Sequence, residues 1–322
     1  MQKKPTKPFL TYSQQINELI QHKDLTIEDA TTAERALKSI GYFTLIGGYK
    51  DLLRDKNTHK YYPNVKFEDI VALYEFDVAL REMFFHYICK IEKTMRSIIS
   101  YEFCARYGEK QSQYLNCSNY NYSKNNSTPK NRGQIKKLTA KLSVLSNVST
   151  QYPYVEYQRK KYGNVPLWVL VNALEFGTLS KMYEFFQMPL QITISKNFNF
   201  ISNAELKKYL KFLVSFRNVC AHHERCFAYR SYCSIPDTAL HRKLSIKQQQ
   251  GAYVYGKNDA FAVLITFKFM LPHDDFIKMK RTLTRIFDKF FDKCNIISQN
   301  ALYNYMGFPL NWKAISKYRK LK

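Results

Sequence analysis

Apolar positions recur along this chain at the three-and-four-residue spacing of helices buried on one side, and strand-like alternation is scarce. The periodicity predicts one long amphipathic helix from Phe67 to Tyr107, and a second in the segment Asn203 to Tyr229, marked by Leu206, Leu210, Leu213, Val214 and Phe216. Ahead of these, residues up to about Tyr62 read as two or three short helices. Ser13 is placed to cap the one through Ile16, Leu19 and Ile20, and Asp29 or Thr31 the one through Ala36, Leu37 and Ile40. Pro166 to Phe186 is the most apolar block and predicts the central helix pair of a bundle, with Pro166 in a first turn and Gly177 breaking or re-capping the helix. Ala260 to Leu271 and Phe276 to Cys294 predict closing helices. Asn116 to Arg132 is rich in Asn and Ser and predicts an exposed loop, followed by a lysine-bearing helix over Gln134 to Leu145. The pattern therefore predicts an all-α fold without internal repeats. It divides into an N-terminal helical region over 1–62, a helical domain over 63–295 with a basic polar insertion near 108–165, and a basic tail over 296–322.

Composition agrees with that picture: 322 residues, 45% of them apolar, suffice for a sizeable core, and only 10 Gly and 10 Pro interrupt it. No run approaches the roughly 18 apolar residues of a membrane span, and the polar opening Met1-Gln2-Lys3-Lys4-Pro5 has no apolar leader core behind it. A cytoplasmic protein without membrane contact is the expectation. Seven cysteines, an odd number with no CxxC pair, predict reduced thiols rather than a disulfide framework.

Charge changes the picture more. Fifty Lys and Arg against 26 Asp and Glu leave a net +24, which predicts attraction to polyanions, RNA first among them. From Arg106 to Lys161 the only acids are Glu109 and Glu156, whereas the basic residues include Lys124, Lys130, Arg132, Lys136, Lys137, Lys141, Arg159, Lys160 and Lys161. The last ten residues add Lys313, Lys317, Arg319, Lys320 and Lys322 with no acid. Tyr114, Tyr120, Tyr122, Tyr152, Tyr154, Tyr157 and Tyr162 run through the basic region, where aromatic faces can stack on unpaired bases. The alternative is a solvated lysine surface with tyrosines packed in the core.

The chemistry concentrates in Arg217-Asn218-Val219-Cys220-Ala221-His222, followed by His223-Glu224-Arg225. Metal-independent strand cleavage at a ribose phosphate needs a proton carrier that works near neutral pH and cations that hold phosphorane charge, and imidazole and guanidinium meet those needs. At about 100° per residue Asn218, His222 and Arg225 share a narrow stripe of a helix, while Arg217 lies about 140° from His222. A local irregularity, or a second copy of the motif across a dimer interface, would bring Arg217 and His222 together. Cys220, His222, His223 and Cys226 are zinc-type ligands, but their spacing matches none of the common zinc motifs and a metal there would consume His222. No metal and no cofactor are expected, and no Gly-rich phosphate loop is present.

The string RNVCAHHERCF resembles the motif of the Abi-type abortive infection proteins (the AbiD/AbiF group), and the Arg-Asn-x-x-x-His pattern resembles the R-x4-6-H motif of the HEPN superfamily of RNases. Three further signatures carry the resemblance over most of the chain: Lys7 to Tyr12; Leu37 to Leu45 with Gly48-Tyr49; and Phe67 to Asp77 with Leu80-Arg81. The resemblance implies a HEPN-like helical bundle with an N-terminal helical extension, phage defence by acting on RNA, and in some members partnership with a small non-coding RNA. It also implies a supporting E-x3-K/R pair on an earlier helix, which Glu92 and Arg96 fit. Four residues apart, they would share one helical face, either orienting the catalytic arginine or forming a plain ion pair.

The resulting expectation is an RNA endonuclease in which a 2'-hydroxyl attacks the adjacent phosphorus, leaving a 2',3'-cyclic phosphate and a 5'-hydroxyl. His222 moves the proton, Arg217 neutralises the phosphorane oxygens, and Asn218 holds the phosphate or the imidazole. His223 either approaches RNA or packs, and Arg225 binds phosphate or joins a salt bridge. One motif copy per chain predicts a homodimer. A non-catalytic protein gripping a structured RNA is the second reading, and a protein-interaction bundle the third.

Overall fold

The computed structural model describes residues 7–123, 125, 127–198 and 200–318. In chain order these form α1 (Tyr12–Lys23), α2 (Ala30–Ile40), a π-helical turn (Phe43–Gly47), α3 (Phe67–Tyr107), α4 (Gln111–Leu115), a 3-10 turn (Cys117–Asn119), α5 (Pro129–Asn147), α6 (Pro153–Tyr162) and α7 (Leu167–Leu170). A 3-10 turn (Val171–Ala173), α8 (Phe176–Phe185), α9 (Met188–Ser195), α10 (Asn203–Ala221), α11 (Ala239–Lys243), α12 (Ala260–Met270), α13 (His273–Lys293), α14 (Gln299–Met306) and a final 3-10 segment (Trp312–Lys317) follow. Among the described residues the one sheet is a two-stranded hairpin pairing Gln248 with Tyr253 and Gln249 with Ala252. The fold is all-α, and no described helix is long and apolar enough to cross a membrane.

The organising element is α3. Its 41 residues contain neither Gly nor Pro, so nothing interrupts the hydrogen-bond ladder over roughly 60 Å. Glu68 and Asp69 sit favourably in its first turn, and Gly108 stops it at φ 89°, a backbone angle that other residues rarely adopt. Helices α13, α10, α7, α8, α9 and α12 lie against it. The aromatic core around Phe76, Phe287, Phe290, Tyr303, Phe308 and Trp312 closes one end.

Several local expectations need correction. Thr11, not Ser13, caps α1: its hydroxyl accepts from the Gln14 N–H while the Gln14 side chain accepts from the Thr11 N–H, a reciprocal box. Asp29 caps α2 as expected, accepting from the Thr31 and Thr32 N–H groups. The break in the apolar block falls at Leu174 and Glu175. Gly177 instead lies in the first turn of α8, where a Cβ would sit 3.7 Å from the Val214 side chain. Ala260–Met270 forms a helix as expected, but all its residues except Lys268 are buried. Residues 296–318 do not form a tail, because Leu302, Tyr303, Met306, Phe308, Trp312 and Ile315 pack into the core. The Asn/Ser-rich stretch holds a 3-10 turn and a buried Tyr120, whose ring stacks on Phe186 at 5.7 Å.

Candidate functional site

The motif straddles the C-terminal end of α10. Arg217 and Asn218 occupy the last turn, Ala221 is the final helical residue, and His222 is the C-cap. The chain then reverses through His223, which has φ 56°, with the Glu224 N–H donating to Val219 O at 3.0 Å and the His223 N–H to Cys220 O at 3.4 Å. This is the helix-ending arrangement in which glycine usually takes the left-handed position; a histidine there stores about 1 kcal/mol of backbone strain. Asn218, His222, His223 and Arg225 are exposed, and Arg217 is half-buried. Because the helix ends at Ala221, Arg225 does not share the helical stripe of Asn218 and His222 that uninterrupted periodicity predicts. Its guanidinium bends back to donate to Gly48 O at 2.5 Å and to Asp51 at 3.3 Å, so a salt bridge is formed.

Arg217 faces α3. Phe85, Cys89, Glu92 and Arg96 recur every three to four residues along one stripe of that helix, and the Arg217 guanidinium lies over the Phe85 ring at 5.8 Å. Glu92 is buried and paired with Arg96, which also donates to Leu174 O at 2.9 Å. Burial pushes the Glu92 carboxyl above its ordinary range, against the pull of Arg96 and then Arg217. The pair four residues apart therefore forms as expected, and its field reaches the motif arginine. Burial likewise raises the Cys89 thiol. The buried Nε of Arg217 and that of Arg96 have no hydrogen-bond acceptor among the described residues. No hydrogen bond joins Arg217 to His222 among the described residues either: Arg217 lies over Phe85 of α3, and His222 is the exposed C-cap.

What holds the loop beyond His222 is a buried network that the motif alone does not reveal. Asp77, fully buried on α3, accepts from Tyr49 Oη at 2.8 Å, Arg81 at 2.8 Å, the Phe227 N–H at 2.7 Å and the Cys226 N–H at 3.2 Å. Arg81 also donates to Glu224 O at 3.3 Å. Burial pushes the Asp77 carboxyl up, and Arg81 and the donors pull it back. The signature residues Gly48-Tyr49 and Asp77 with Leu80-Arg81 thus meet, far apart in sequence, at residues 224–227: the Gly48 carbonyl and the three side chains clamp the reversal that follows His222. Cys220 and Cys226 are buried with their sulfurs 3.9 Å apart, and both are free thiols. Burial pushes the Cys226 thiol well up. Among the described residues no group of three His, Cys, Asp or Glu side chains is placed to hold a metal ion.

The basic region divides by partner. Lys130, Lys136 and Lys137 are exposed on α5. Arg132 donates to Ser127 O at 2.5 Å, Lys141 to Glu175 at 3.1 Å and Thr178 at 3.0 Å, and Lys160 pairs with Glu156 at 2.6 Å. Arg159 is structural, tying α6 to the end of α5 through Ser146 O at 3.0 Å and Ser149 O. Lys161 donates to Tyr157 Oη at 2.7 Å and lies over the Tyr162 ring. Lys124, like Arg319, Lys320 and Lys322, lies outside the described residues. Of the tyrosines, Tyr114 and Tyr120 are core residues whose hydroxyls donate to Val165 O at 2.7 Å and Tyr114 O at 2.8 Å, so they cannot stack on bases. Tyr154, Tyr157 and Tyr162 are exposed. Sequence reasoning missed a second cationic surface. Lys280 and Arg281 with Arg285 of α13 line a cleft of about 400 Å³ with Ser316, where burial and then the Lys313 and Lys317 charges lower the Lys280 pKa. Spread over nearly forty residues and diluted by Asp288 and Asp292, that cluster gives no local signal in the chain.

No curated protein and no solved structure matches the chain. The family model for Abi-like proteins matches residues 35–228, more than half of its length. The matched segment runs from within α2 to just past Phe227, and so contains Tyr49, Asp77, Arg81, Glu92, Arg96 and the whole Arg217 to Arg225 motif. Over that shared span and the network it encloses, the chain belongs to the Abi-like family of abortive infection proteins.

Proposed function

We propose that this protein is a metal-independent RNA endonuclease of the HEPN type acting in phage defence. The observation that carries the reading is the arrangement of the motif: a half-buried Arg217 beside the buried Glu92 and its half-buried partner Arg96, and an exposed His222 at a helix end whose following loop is clamped by Tyr49, Asp77 and Arg81. A buried donor without an acceptor costs about 1–3 kcal/mol, as at the Arg217 Nε, and the guanidinium of the same half-buried residue is the cation that the reaction needs for phosphorane oxygens. In the reaction His222 takes the proton of the 2'-hydroxyl or delivers one to the departing 5'-oxygen, Arg217 stabilises the phosphorane, and Asn218 positions the phosphate. The product ends are a 2',3'-cyclic phosphate and a 5'-hydroxyl. Arg217 lies over Phe85 of α3 and makes no hydrogen bond to His222 of the same chain among the described residues, so two copies of the motif, one from each protomer of a homodimer, compose the site.

Affinity comes from charge rather than from these side chains. The exposed lysines of α5 and the α13 cluster supply the cations that release counterions from RNA phosphates, including those of a small structured RNA partner. The test is incubation of the purified protein with RNA in the presence of a chelator, comparing native protein with the Arg217→Ala and His222→Ala variants. Native protein alone is expected to cleave, all three to bind, and a 2'-deoxyribose at the cut position to stop the reaction. Binding without cleavage by any of them would instead support a non-catalytic RNA holder, and cleavage of the deoxy substrate would exclude the mechanism.

A further inference from the structure

A cleft of about 540 Å³ opens next to the motif, between the π-turn that carries Phe43 and the clamped loop that carries His223 and Arg225, with Tyr229 and Arg230 at its far side. Its size lies in the range of small-ligand sites. Three unusual features converge on it. Phe43 is 89% exposed, and it starts a π-helical turn, a rare geometry concentrated at functional sites. His223, which lines the same cleft, holds its left-handed backbone angle. Arg225 and Arg230 are held in place, Arg225 at Gly48 O (2.5 Å) and at the Asp51 carboxylate (3.3 Å), and Arg230 at Tyr305 O (2.5 Å). Each guanidinium has five N–H donors, so these bonds orient it and leave donors for a ligand.

A flat apolar ring lining one cleft with preoriented guanidiniums and an imidazole matches one chemistry well: an aromatic base with its phosphate. Resting on the RNA reading above, we infer that this cleft is a subsite for one unpaired nucleotide flanking the cleaved phosphate, with Phe43 stacking on the base and Arg225 and Arg230 taking the phosphate. The neighbouring residue, His222, is the proposed proton carrier, so a nucleotide seated here sets the register of the strand. A base held in a duplex cannot offer its face to Phe43, and the subsite therefore selects single-stranded over double-stranded RNA.

The experiment measures fluorescence anisotropy of a labelled oligouridylate and of an RNA duplex of equal length at one fixed salt concentration. Phe43→Ala is expected to weaken single-strand binding about tenfold, the order of one lost base stack, and to leave duplex binding unchanged, while Phe43→Trp restores it. Because Phe43 is exposed, neither change disturbs the core. Undiminished single-strand binding by Phe43→Ala would overturn the subsite alone, and failure of the native protein to bind either RNA would overturn the RNA reading with it. Weakened binding accompanied by a halved mass in light scattering would place Phe43 in a subunit interface and overturn the assignment.

Discussion

At the residue scale, Asp77 and His223 decide how the motif is presented. Asp77→Ala leaves the 4% exposed Arg81 and two backbone N–H groups without their acceptor. The expected loss is about 3–5 kcal/mol in urea unfolding, with RNA cleavage falling even in protein that remains folded, since the 224–227 loop is released. Tyr49→Phe removes one donor and is expected to cost only about 1 kcal/mol. His223→Gly relieves the left-handed strain and is expected to leave stability unchanged or raise it by up to about 1 kcal/mol. A loss of stability would show that the imidazole packs rather than strains. Asp259 gives a pH signature: it is buried, caps α12 through the Ala262 N–H, and burial raises its carboxyl to about 6. A raised acid binds its proton more tightly when folded, so the contribution is fully present below the ordinary carboxylate value and is lost as pH rises through about 6. Native protein is expected to gain on the order of 1 kcal/mol more than Asp259→Asn between pH 7 and pH 5. Parallel pH profiles would refute the buried titration.

At the scale of elements, the sequence resolves those whose surroundings are simple. Phe67–Tyr107 and Asn203–Ala221 each bury one stripe against neighbours, and their periodicity shows it. Helix α12 was legible as a helix, but the burial of nearly every side chain, Thr266 included, was not, because its largely apolar sequence shows no one-sided stripe. The expected tail is governed by one close approach. Gly307 ends α14 at φ 80°, and a Cβ there would fall 2.2 Å from Asp259 Oδ2. Gly307→Ala is therefore expected to lower the melting temperature by several degrees, through backbone strain and displacement of the α12 cap together. A neutral result would mean that residues 296–318 adjust freely to the core.

At the scale of the whole molecule, the excess of +24 charges is distributed over more than one face. The α5 lysines were legible as a run; the α13 cluster was not, because it is assembled from turns of a helix and a distant 3-10 segment. Reversing Lys130, Lys136 and Lys137 to Glu is expected to weaken RNA binding, with a shallower dependence on salt and an unchanged melting temperature. An unchanged salt slope would remove α5 from the RNA face. In moderate salt, light scattering is expected to give twice the monomer mass of 38.2 kDa; a strict monomer that still cleaves RNA would sink the two-chain site.

Local sequence alone determined the helical class, the extent of α3 and the Glu92–Arg96 pairing. Each depends on residues within a few turns of one another, where spacing is geometry. Tertiary structure decided the rest. It turned Arg217 toward α3, ended the helix so that Arg225 bends to Gly48, sent Tyr114 and Tyr120 into the core, and brought Tyr49, Asp77 and Arg81 to one loop from three places in the chain. Those outcomes depend on which buried polar group finds its partner across the core, and periodicity contains no information about that choice.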